Sequence, residues 1–374
     1  SALDRAVLVR IQVSQPINFL TIVSLSMGRC FVIAYSKEIL SLALAFLLSV
    51  IVTRVMIVIN IKDIPVDRSS HKEITPRAGG VGLLSGFYIS LLSQGFFRIS
   101  SDGNALIVLL SAAAIIAGLG LLDDIKGSSP ILRLFIQIVI SCFFVSYTGA
   151  FKTVPLPYFG EVNLGILSLP LSILWIVGFT NAFNFMDGLN GMSGLITVIA
   201  CTFLSILISS QHPSFIIFLI LAAATLGFLI FNFPKAKIFL GDIGSFFLGF
   251  FFASWALIAS QPSYGKLSIW IVPLLFFIYI YDVIFTRIHR IKRGKNFFEA
   301  HREHLYQLLN SLGWSHVKVT SLYALIFILQ GISSLFMMMR PPEEHVFFFI
   351  PFLIGASVLS WWVFSKTRKI NPSF

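Results

Sequence analysis

The sequence contains little charge and few cysteines. Charged residues make up 11% of the chain, whereas a soluble domain carries about 25%, and hydrophobic residues make up 57%. So much apolar surface cannot be buried inside one globule, so the composition excludes a soluble enzyme and a disordered chain and indicates a protein solvated by lipid. The three cysteines lie far apart without a CxxC spacing, which excludes a disulfide scaffold and argues against a thiolate metal site.

The sequence also lacks internal repeats of 20–50 residues and the alternating ten-residue segments of a β-barrel. It contains instead eleven apolar runs of roughly the length that crosses a bilayer as a helix. We therefore expect an all-α polytopic membrane protein with about eleven transmembrane helices. The predicted spans are 39–59, 81–97, 105–122, 131–147, 166–182, 192–210, 214–233, 244–260, 267–286, 319–340 and 345–364.

Basic residues are unequally divided between the loops on the two sides of these spans. One set of loops, with the C-terminal tail, holds 17 lysines and arginines against four in the opposite loops. Because cytoplasmic loops carry the excess of positive charge, we expect this set and the C-terminus inside and the N-terminus outside. The net charge of +11 then reflects topology and anionic headgroups rather than nucleic-acid binding. The predicted cytoplasmic segments are about 60–80, 123–130, 183–191, 234–243 and 287–318, with the tail 365–374.

Residues 1–38 lack the basic start, apolar core and cleavage site of a signal peptide. We expect either a poorly ordered N-terminal extension or an addition upstream of a natural start near Met27. Residues 39–364 are expected to form a single transmembrane domain.

Most carboxylates lie in or beside the predicted cytoplasmic loops, whereas the outer loops are short and nearly neutral. This asymmetry predicts chemistry at the cytoplasmic surface. A secondary transporter, the alternative class, more often places its polar site near the midplane. The only charged candidates inside the predicted spans are Arg54, Arg133 and Asp282.

The segment LLDDIKGSS ends the third span with two adjacent carboxylates, Asp123 and Asp124, followed by Lys126. Adjacent carboxylates at a membrane edge repel each other and need a cation, and Lys126 is the nearest fixed one. Carboxylates suit Mg²⁺, and a lysine suits a phosphate oxygen. A solvated loop that stops the helix is an equally good interpretation of this segment alone.

The segment NAFNFMDGLNG ends the fifth span. Asn181, Asn184 and Asp187 recur every three residues and fall on one face of a helix. A lone asparagine in a span usually forms a helix–helix hydrogen bond, but three polar residues in register, followed by Gly188 and Asn190, favour a functional site. Their oxygens suit Mg²⁺, and the glycine lets a ligand approach the backbone.

Two charged residues are flanked or followed by glycines. In FLGDIGS, Asp242 opens the eighth span, where a carboxylate is either an ordinary N-cap or a metal ligand. In the segment 67–82, Arg77 precedes Gly79 and Gly80, whose backbone amides are candidates for phosphate binding. A loop that simply starts a helix is an equal alternative there.

The longest predicted loop is strongly basic. Topology and anionic lipid account for most of its lysines and arginines, but they account poorly for His301, Arg302 and His304. Histidines three residues apart share a helix face, with Arg302 between them, and a bound diphosphate would attract such a trio. Zinc is a weaker option because only two clear ligands are present.

The motifs DDIKG, NAFNFMDGLNG, LGDIGS and AHREHLYQ, in this order, resemble the polyprenyl-phosphate N-acetylhexosamine-1-phosphate transferase family, which is related to the phospho-MurNAc-pentapeptide translocases. The similarity covers about 39–364, which would then be one catalytic domain. It implies a multi-pass protein of the bacterial inner membrane and a need for Mg²⁺, for which Mn²⁺ can substitute. The implied reaction transfers a phospho-sugar from a UDP-N-acetylhexosamine to undecaprenyl phosphate and releases UMP. No nucleic-acid partner is expected, and a homodimer stays open.

The resemblance also implies residue roles. It makes Asp242 the first metal ligand and Asn184 the second, and it places Asp123, Asp124 and Asp187 among the catalytic residues. The adjacent pair is expected to be unequal, with positioning favoured over a base role. The implied substrate-binding residues are Lys126, Asn181, Asn190, Arg77, His301, Arg302 and His304.

The stretch FEAHREHLYQ looks more like the branch that initiates O-antigen lipopolysaccharide or another envelope glycan than like the branch that forms lipid I. The loop of the latter is usually richer in histidine. Asn190 stands where many relatives have aspartate, which points to a different donor sugar. A transporter of an anionic substrate is the runner-up, and a scaffold with site remnants is disfavoured because the motif acids are all present.

Overall fold

The computed structural model describes residues 36–63, 74–95, 104–208, 212–264, 267–295 and 301–370. The chain forms two compact units, 1–40 and 41–374, and only residues 36–40 of the first are described. The predicted N-terminal extension therefore lies almost wholly outside the described residues.

The described part of the chain is almost entirely helical. Many helices begin and end where the predicted apolar runs do, and Pro130 and Pro213 stand in the first turns of their helices, where a proline loses no hydrogen bond. The α-helices are α1 (Ser36–Ile59), α2 (Gly80–Ser93), α3 (Asn104–Lys126), α4 (Pro130–Thr148), α5 (Ser168–Met186), α6 (Met192–Leu207), α7 (Pro213–Asn232), α8 (Gly241–Ala259), α9 (Ile271–Leu275), α10 (Phe277–Lys292), α11 (Leu305–Ser311), α12 (His316–Met337) and α13 (Ile350–Ile370).

Eight helical segments in the described residues are long and apolar enough to cross a membrane. This confirms an all-α polytopic membrane protein, whereas the number eleven stays a prediction, because α2 and α6 are apolar but shorter. The eight segments are Lys37–Ile59, Asn104–Lys126, Pro130–Thr148, Gly165–Met186, Pro213–Asn232, Gly241–Ala259, His316–Met337 and Pro342–Ile370.

The ninth predicted span differs from the expectation. It is divided at Phe276 into the short helix α9 and the longer helix α10, and α10 continues to Lys292, inside the segment predicted as a loop. Hydropathy missed this extension because the last turn of α10 is basic, with His289 and Arg290 beside Lys292.

Two short antiparallel hairpins interrupt the helices. Strand β1 (Lys62–Asp63) pairs with β2 (Thr75–Pro76) just before α2, and β3 (Thr153–Leu156) pairs with β4 (Gly160–Asn163) between α4 and α5. Strands of two to four residues are too short to show an alternating pattern, so the sequence did not predict them.

Helix α8 forms the centre of the bundle. It packs against α3 and α5, and nearly all of its residues are buried, as expected of a helix that is apolar on every side. Its phenylalanines contact one another and their neighbours: the rings of Phe247 and Phe251 stack at 5.8 Å, and Phe87 of α2 meets Phe247 edge to face at 5.6 Å. By contrast, Ile131 of α4 and Trp361 of α13 are exposed, as lipid-facing residues would be.

Candidate active site

The acidic motifs meet where α3 ends and α8 begins. Asp124, in the last turn of α3, is almost fully buried, and its two carboxylate oxygens accept hydrogen bonds from the backbone amides of Asp242 and Ile243, both at 3.1 Å. Asp124 therefore caps the N-terminus of another helix, where the unpaired amides and the helix dipole favour a negative charge.

Two glycines allow this close approach. A Cβ atom on Gly120, one turn before Asp124, would collide with the backbone of Asp242. Gly241 adopts φ +79°, and a Cβ there would lie 2.5 Å from the Asp124 carboxylate. Only glycine combines this conformation with this contact at low cost.

Asp123 faces a different set of partners from those of Asp124. Ser128 and Arg133 each donate to its carboxylate at 2.5 Å. The same Arg133 nitrogen lies 3.6 Å from Asp242, and the Asp123 and Asp242 side chains lie within hydrogen-bonding distance of each other. One guanidinium is thus shared between two carboxylates that touch.

The fixed cations of this cluster differ from the sequence-based expectation. Lys126 was expected to neutralise the acidic pair, but its side chain is exposed. Arg133, at the start of the next helix, contacts Asp123 instead, and Arg77 lies 3.9 Å from Asp124. The expectation was wrong because Lys126 is two residues from Asp124 and faces another side of the helix. It is three residues from Asp123, a spacing that allows contact, but the Asp123 carboxylate is paired with Arg133 and the Lys126 side chain is exposed.

The polar face predicted at the end of α5 exists, but its members turn to different neighbours. The Asn184 amide donates to Asp242 at 2.7 Å and to Ser245 at 2.8 Å, both on α8. The Asn181 amide donates to Gln137 of α4 at 2.6 Å and to the carbonyl of Val177. Asn184 therefore belongs to the acidic cluster, and Asn181 joins α5 to α4.

Asp187 ends α5 and begins the loop to α6. Burial, with a smaller contribution from the nearby charge of Asp124, raises the pKa of Asp187 to about 7. Asn190, three residues on, is tied to the protein: its side chain donates to the carbonyl of Pro234, and its own carbonyl accepts from Thr320.

The glycine segment after Arg77 starts a helix. The amides of Gly79 and Gly80 donate to the carbonyls of Phe239 and Leu240, both at 2.8 Å. These amides are therefore engaged within the protein, so the suggested phosphate loop is wrong at these two positions. Arg77 itself still reaches the cluster.

The histidine segment is not helical where helical spacing was assumed. Residues 301–303 have no regular secondary structure, and His304 is the N-cap of α11. The expectation of a shared helix face is therefore wrong, although the rings of His301 and His304 still lie 4.9 Å apart. Arg302 turns to Asn310, at 3.5 Å.

The segment nevertheless reaches the end of α5. The ring of His304 stacks on that of Phe185 at 6.2 Å, and the Tyr306 hydroxyl donates to the carbonyl of Phe185 at 2.9 Å. Burial, with smaller contributions from neighbouring His304 and Arg287, lowers the pKa of His301 to about 3. His301 is therefore neutral at pH 7 when no anion is bound.

The acidic cluster offers an open set of metal ligands rather than a closed one. Among the described residues, no group of three or more His, Cys, Asp and Glu side chains is arranged to hold a metal. Asp123 and Asp242 touch, and the side chain of Asp242 is 27% exposed. Mg²⁺ usually binds one or two carboxylates and completes its shell with waters and substrate phosphates. The residues therefore fit a Mg²⁺ that is shared with a substrate.

The fold and the site define a class of protein: a membrane-embedded helix bundle with an acidic cluster at one end. The sequence profile of glycosyl transferase family 4 matches residues 106–260. A Bacillus subtilis protein named probable undecaprenyl-phosphate N-acetylglucosaminyl 1-phosphate transferase is 33% identical over 78% of this chain and 81% of its own length.

Two further relatives bear different names. A Mycobacterium leprae decaprenyl-phosphate N-acetylglucosaminephosphotransferase is 30% identical over 82% of each chain. A Clostridium perfringens phospho-N-acetylmuramoyl-pentapeptide-transferase is 30% identical over 67% of this chain and 79% of its own. The chain therefore belongs to glycosyl transferase family 4, and the resemblance drawn from its four motifs is confirmed.

Sequence reasoning missed the roles of two charged residues, Arg133 and Asp282. Arg133 was visible only as a charge inside a predicted span. Asp282 was considered as a transporter charge, but it accepts a hydrogen bond from His304. In both cases the signal was a charged residue in an apolar segment, which is rare unless it is paired.

Proposed function

We propose that the protein transfers an N-acetylhexosamine 1-phosphate from a UDP-sugar to undecaprenyl phosphate at the cytoplasmic face of a bacterial inner membrane. The observation that carries the proposal is the meeting of Asp123, Asp124 and Asp242, from separate motifs, beside Arg133 and Arg77. The names of the relatives supply the reaction class, since each names a transferase of this kind.

The proposed reaction is a phosphoryl transfer. An oxygen of the lipid phosphate forms a bond to the β-phosphorus of the UDP-sugar, and the bond from that phosphorus to the bridging oxygen breaks. The products are undecaprenyl-diphospho-sugar and UMP. Such transfers ask the protein mainly to position the reactants and to neutralise charge, which suits a cluster of fixed acids and guanidinium groups.

Asp123 and Asp242, with the Asn184 side chain beside Asp242, would hold the Mg²⁺. When bound, Mg²⁺ supplies positive charge for the diphosphate and the departing UMP. Arg133 keeps the two carboxylates together, and Arg77 offers a guanidinium to a phosphate. Asp124 has a structural role, because its carboxylate accepts hydrogen bonds from the first turn of α8 and holds that turn in place.

A general base is not essential for this acceptor. The second pKa of a phosphate monoester lies near 6, so the acceptor is mostly dianionic at neutral pH. Asp187, whose pKa is near 7, would be partly protonated there and suits a hydrogen bond to the nucleotide-sugar. Asn181 and Asn190 are proposed to line the same pocket, with His301, Arg302 and His304 towards the phosphates.

We propose UDP-N-acetylglucosamine as the first donor to test, because two of the relatives carry N-acetylglucosamine in their names. The product would initiate O-antigen or another envelope glycan. Formation of lipid I is the second candidate, favoured by the similarity to the Clostridium perfringens protein. A transporter gains no support, because Asp282 accepts hydrogen bonds from protein donors through both of its oxygens.

The proposal is tested with purified protein in detergent. Undecaprenyl phosphate, Mg²⁺ and a panel of UDP-N-acetylhexosamines, with UDP-MurNAc-pentapeptide included, are supplied, and UMP release is measured. One donor should support turnover that stops in excess EDTA. Absence of UMP with every donor, from protein that is folded by thermal unfolding, would refute the proposal.

The proposed side of the membrane has its own test. Ser311, at the exposed end of α11, is replaced by cysteine in a variant whose native cysteines are replaced by serine or alanine. A non-permeant maleimide should label Ser311→Cys in inverted membrane vesicles but not in intact cells. Labelling from outside intact cells would overturn the orientation.

A further inference from the structure

A second buried carboxylate lies outside the acidic cluster. Asp282, on α10, has no exposed surface and accepts hydrogen bonds from the hydroxyls of Thr286 (3.0 Å) and Tyr323 (3.1 Å), the backbone amide of Leu305 (3.0 Å) and Nδ1 of His304 (3.1 Å). Removing a carboxylate from water is unfavourable unless donors replace the water. Both oxygens of Asp282 are thus fixed by the protein.

His304 is the partner that connects Asp282 to the rest of the site. Its ring lies nearly parallel to that of Phe185, with an interplanar angle of 23°, at the end of the helix that carries Asn184 and Asp187. A hydrogen bond from Nδ1–H to a carboxylate fixes both the orientation and the tautomer of an imidazole. Nε2 is then the atom left for a ligand.

The segment just before His304 is not held by helical hydrogen bonds, because residues 301–303 have no regular secondary structure. It is anchored on a second side by Glu303, which accepts from Arg290 at 2.8 Å and from Lys295 at 2.5 Å. Two consecutive residues are therefore held by separate partners: Glu303 is paired with basic side chains, and His304 is hydrogen-bonded to Asp282.

We infer that Asp282 is a positioning residue for the proposed transfer reaction: by binding Nδ1 it presents Nε2 of His304 to a phosphate oxygen of the substrates. The inference rests on the proposed function, because it assigns His304 a phosphate contact. It also gives a role to a carboxylate that is fully buried in the apolar part of α10.

The test is a double-mutant cycle between Asp282→Ala and His304→Ala, read as kcat and KM for UMP release. Asp282→Ala should lower kcat/KM about 10–100-fold in the wild-type background, the range typical of residues that orient a functional histidine. In the His304→Ala background it should lower kcat/KM by no more than about 3-fold, because the residue to be oriented is gone.

Two control variants separate positioning from general stability. Asp282→Asn keeps an acceptor for Nδ1 and should recover activity to within about tenfold of wild type. Tyr323→Phe removes one donor to Asp282 without touching the bond to His304, and should stay within about 3-fold. Thermal unfolding in detergent is measured for every variant.

The outcomes are distinct. Equal losses from Asp282→Ala in both backgrounds, or a loss below about 3-fold in the wild type, would overturn the inference. If Asp282→Ala does not fold, Asp282→Asn replaces it in the cycle, with an expected loss of about 3–10-fold that again disappears beside His304→Ala. A wild-type protein without turnover would instead refute the proposed function.

Discussion

Asp282 and the Asp123–Asp242 pair compensate their negative charge in opposite ways. The single carboxylate of Asp282 is buried and receives four hydrogen bonds from the protein. The two carboxylates of Asp123 and Asp242 touch, share Arg133 and leave part of Asp242 exposed. The hydrogen-bonding capacity of Asp282 is thus filled by protein donors. The Asp123–Asp242 pair, in contrast, carries more negative charge than the positive charge fixed beside it.

This difference gives a criterion for reading carboxylates in a membrane protein. An acid that is saturated by protein donors holds the structure in place, because nothing further can bind without displacing a donor. An acid whose oxygens outnumber its donors is ready to bind a cation or a charged substrate.

The largest effect is expected at Asp242. Asp242→Asn should lower kcat about 10²–10³-fold, as the loss of one electrostatic contact to the reacting groups does. Its melting temperature should be equal to or above that of the wild type, because the substitution relieves the repulsion from Asp123. UMP release and thermal unfolding check the two parts. Activity within tenfold of wild type would show that Asp242 serves only as a negative charge in the first turn of α8.

The next prediction compares two basic residues that lie close together in the sequence. Arg133→Ala should lower kcat/KM at least about tenfold, because it leaves two touching carboxylates without their shared guanidinium. Lys126→Ala should change kcat/KM by less than about 3-fold, because its side chain is exposed. Steady-state kinetics of both variants measure the two changes in kcat/KM. A larger effect from Lys126→Ala would restore the sequence-based assignment.

A matched pair of glycines in α3 tests the approach of α3 to α8. Gly120→Ala should destabilise the protein by about 1–3 kcal/mol, as overpacking does, and should lower activity because it pushes Asp242 away. At Gly118, nothing lies within 4 Å of the position that an added methyl group would occupy, so Gly118→Ala should be neutral or slightly stabilising. Chemical or thermal unfolding measures both, and equal stabilities would contradict the packing argument.

The smallest effect concerns His301 and pH. Its pKa is near 3 in the folded protein and about 6.5 in an unfolded chain, so the unfolded state binds the proton first as pH falls. His301 therefore lowers stability progressively as pH falls from about 6.5 towards 3. The melting temperature of His301→Gln should exceed that of wild type at pH 5 but not at pH 8. A difference that is independent of pH would count against the burial of this ring.

Much of the fold could be predicted from hydropathy. The apolar runs give the helices, and the ends of successive helices alternate between two faces, so Asp123, Asn184 and Asp242 could be expected at one face. The division of the ninth span could not be predicted, because α10 continues through a basic turn whose composition is typical of a loop.

The contacts inside the site were less accessible to sequence reasoning. That Arg133 returns to Asp123, ten residues earlier, depends on the tight connection between α3 and α4. That His304 meets Asp282, 22 residues earlier, depends on a segment without regular secondary structure where the spacing suggested a helix. Residue type and spacing identified the chemistry, but the pairing of charges is decided by how helices and loops pack.

Asp124 caps a helix that belongs to another part of the chain, and this affects how its variants must be read. One oxygen accepts from Asp242 and the other from Ile243, so both must be acceptors. In Asp124→Asn one of them becomes an NH₂ group that points at a backbone N–H. The usual isosteric replacement would therefore set donor against donor and disturb the first turn of α8, so lost activity in that variant would not reveal what the negative charge does.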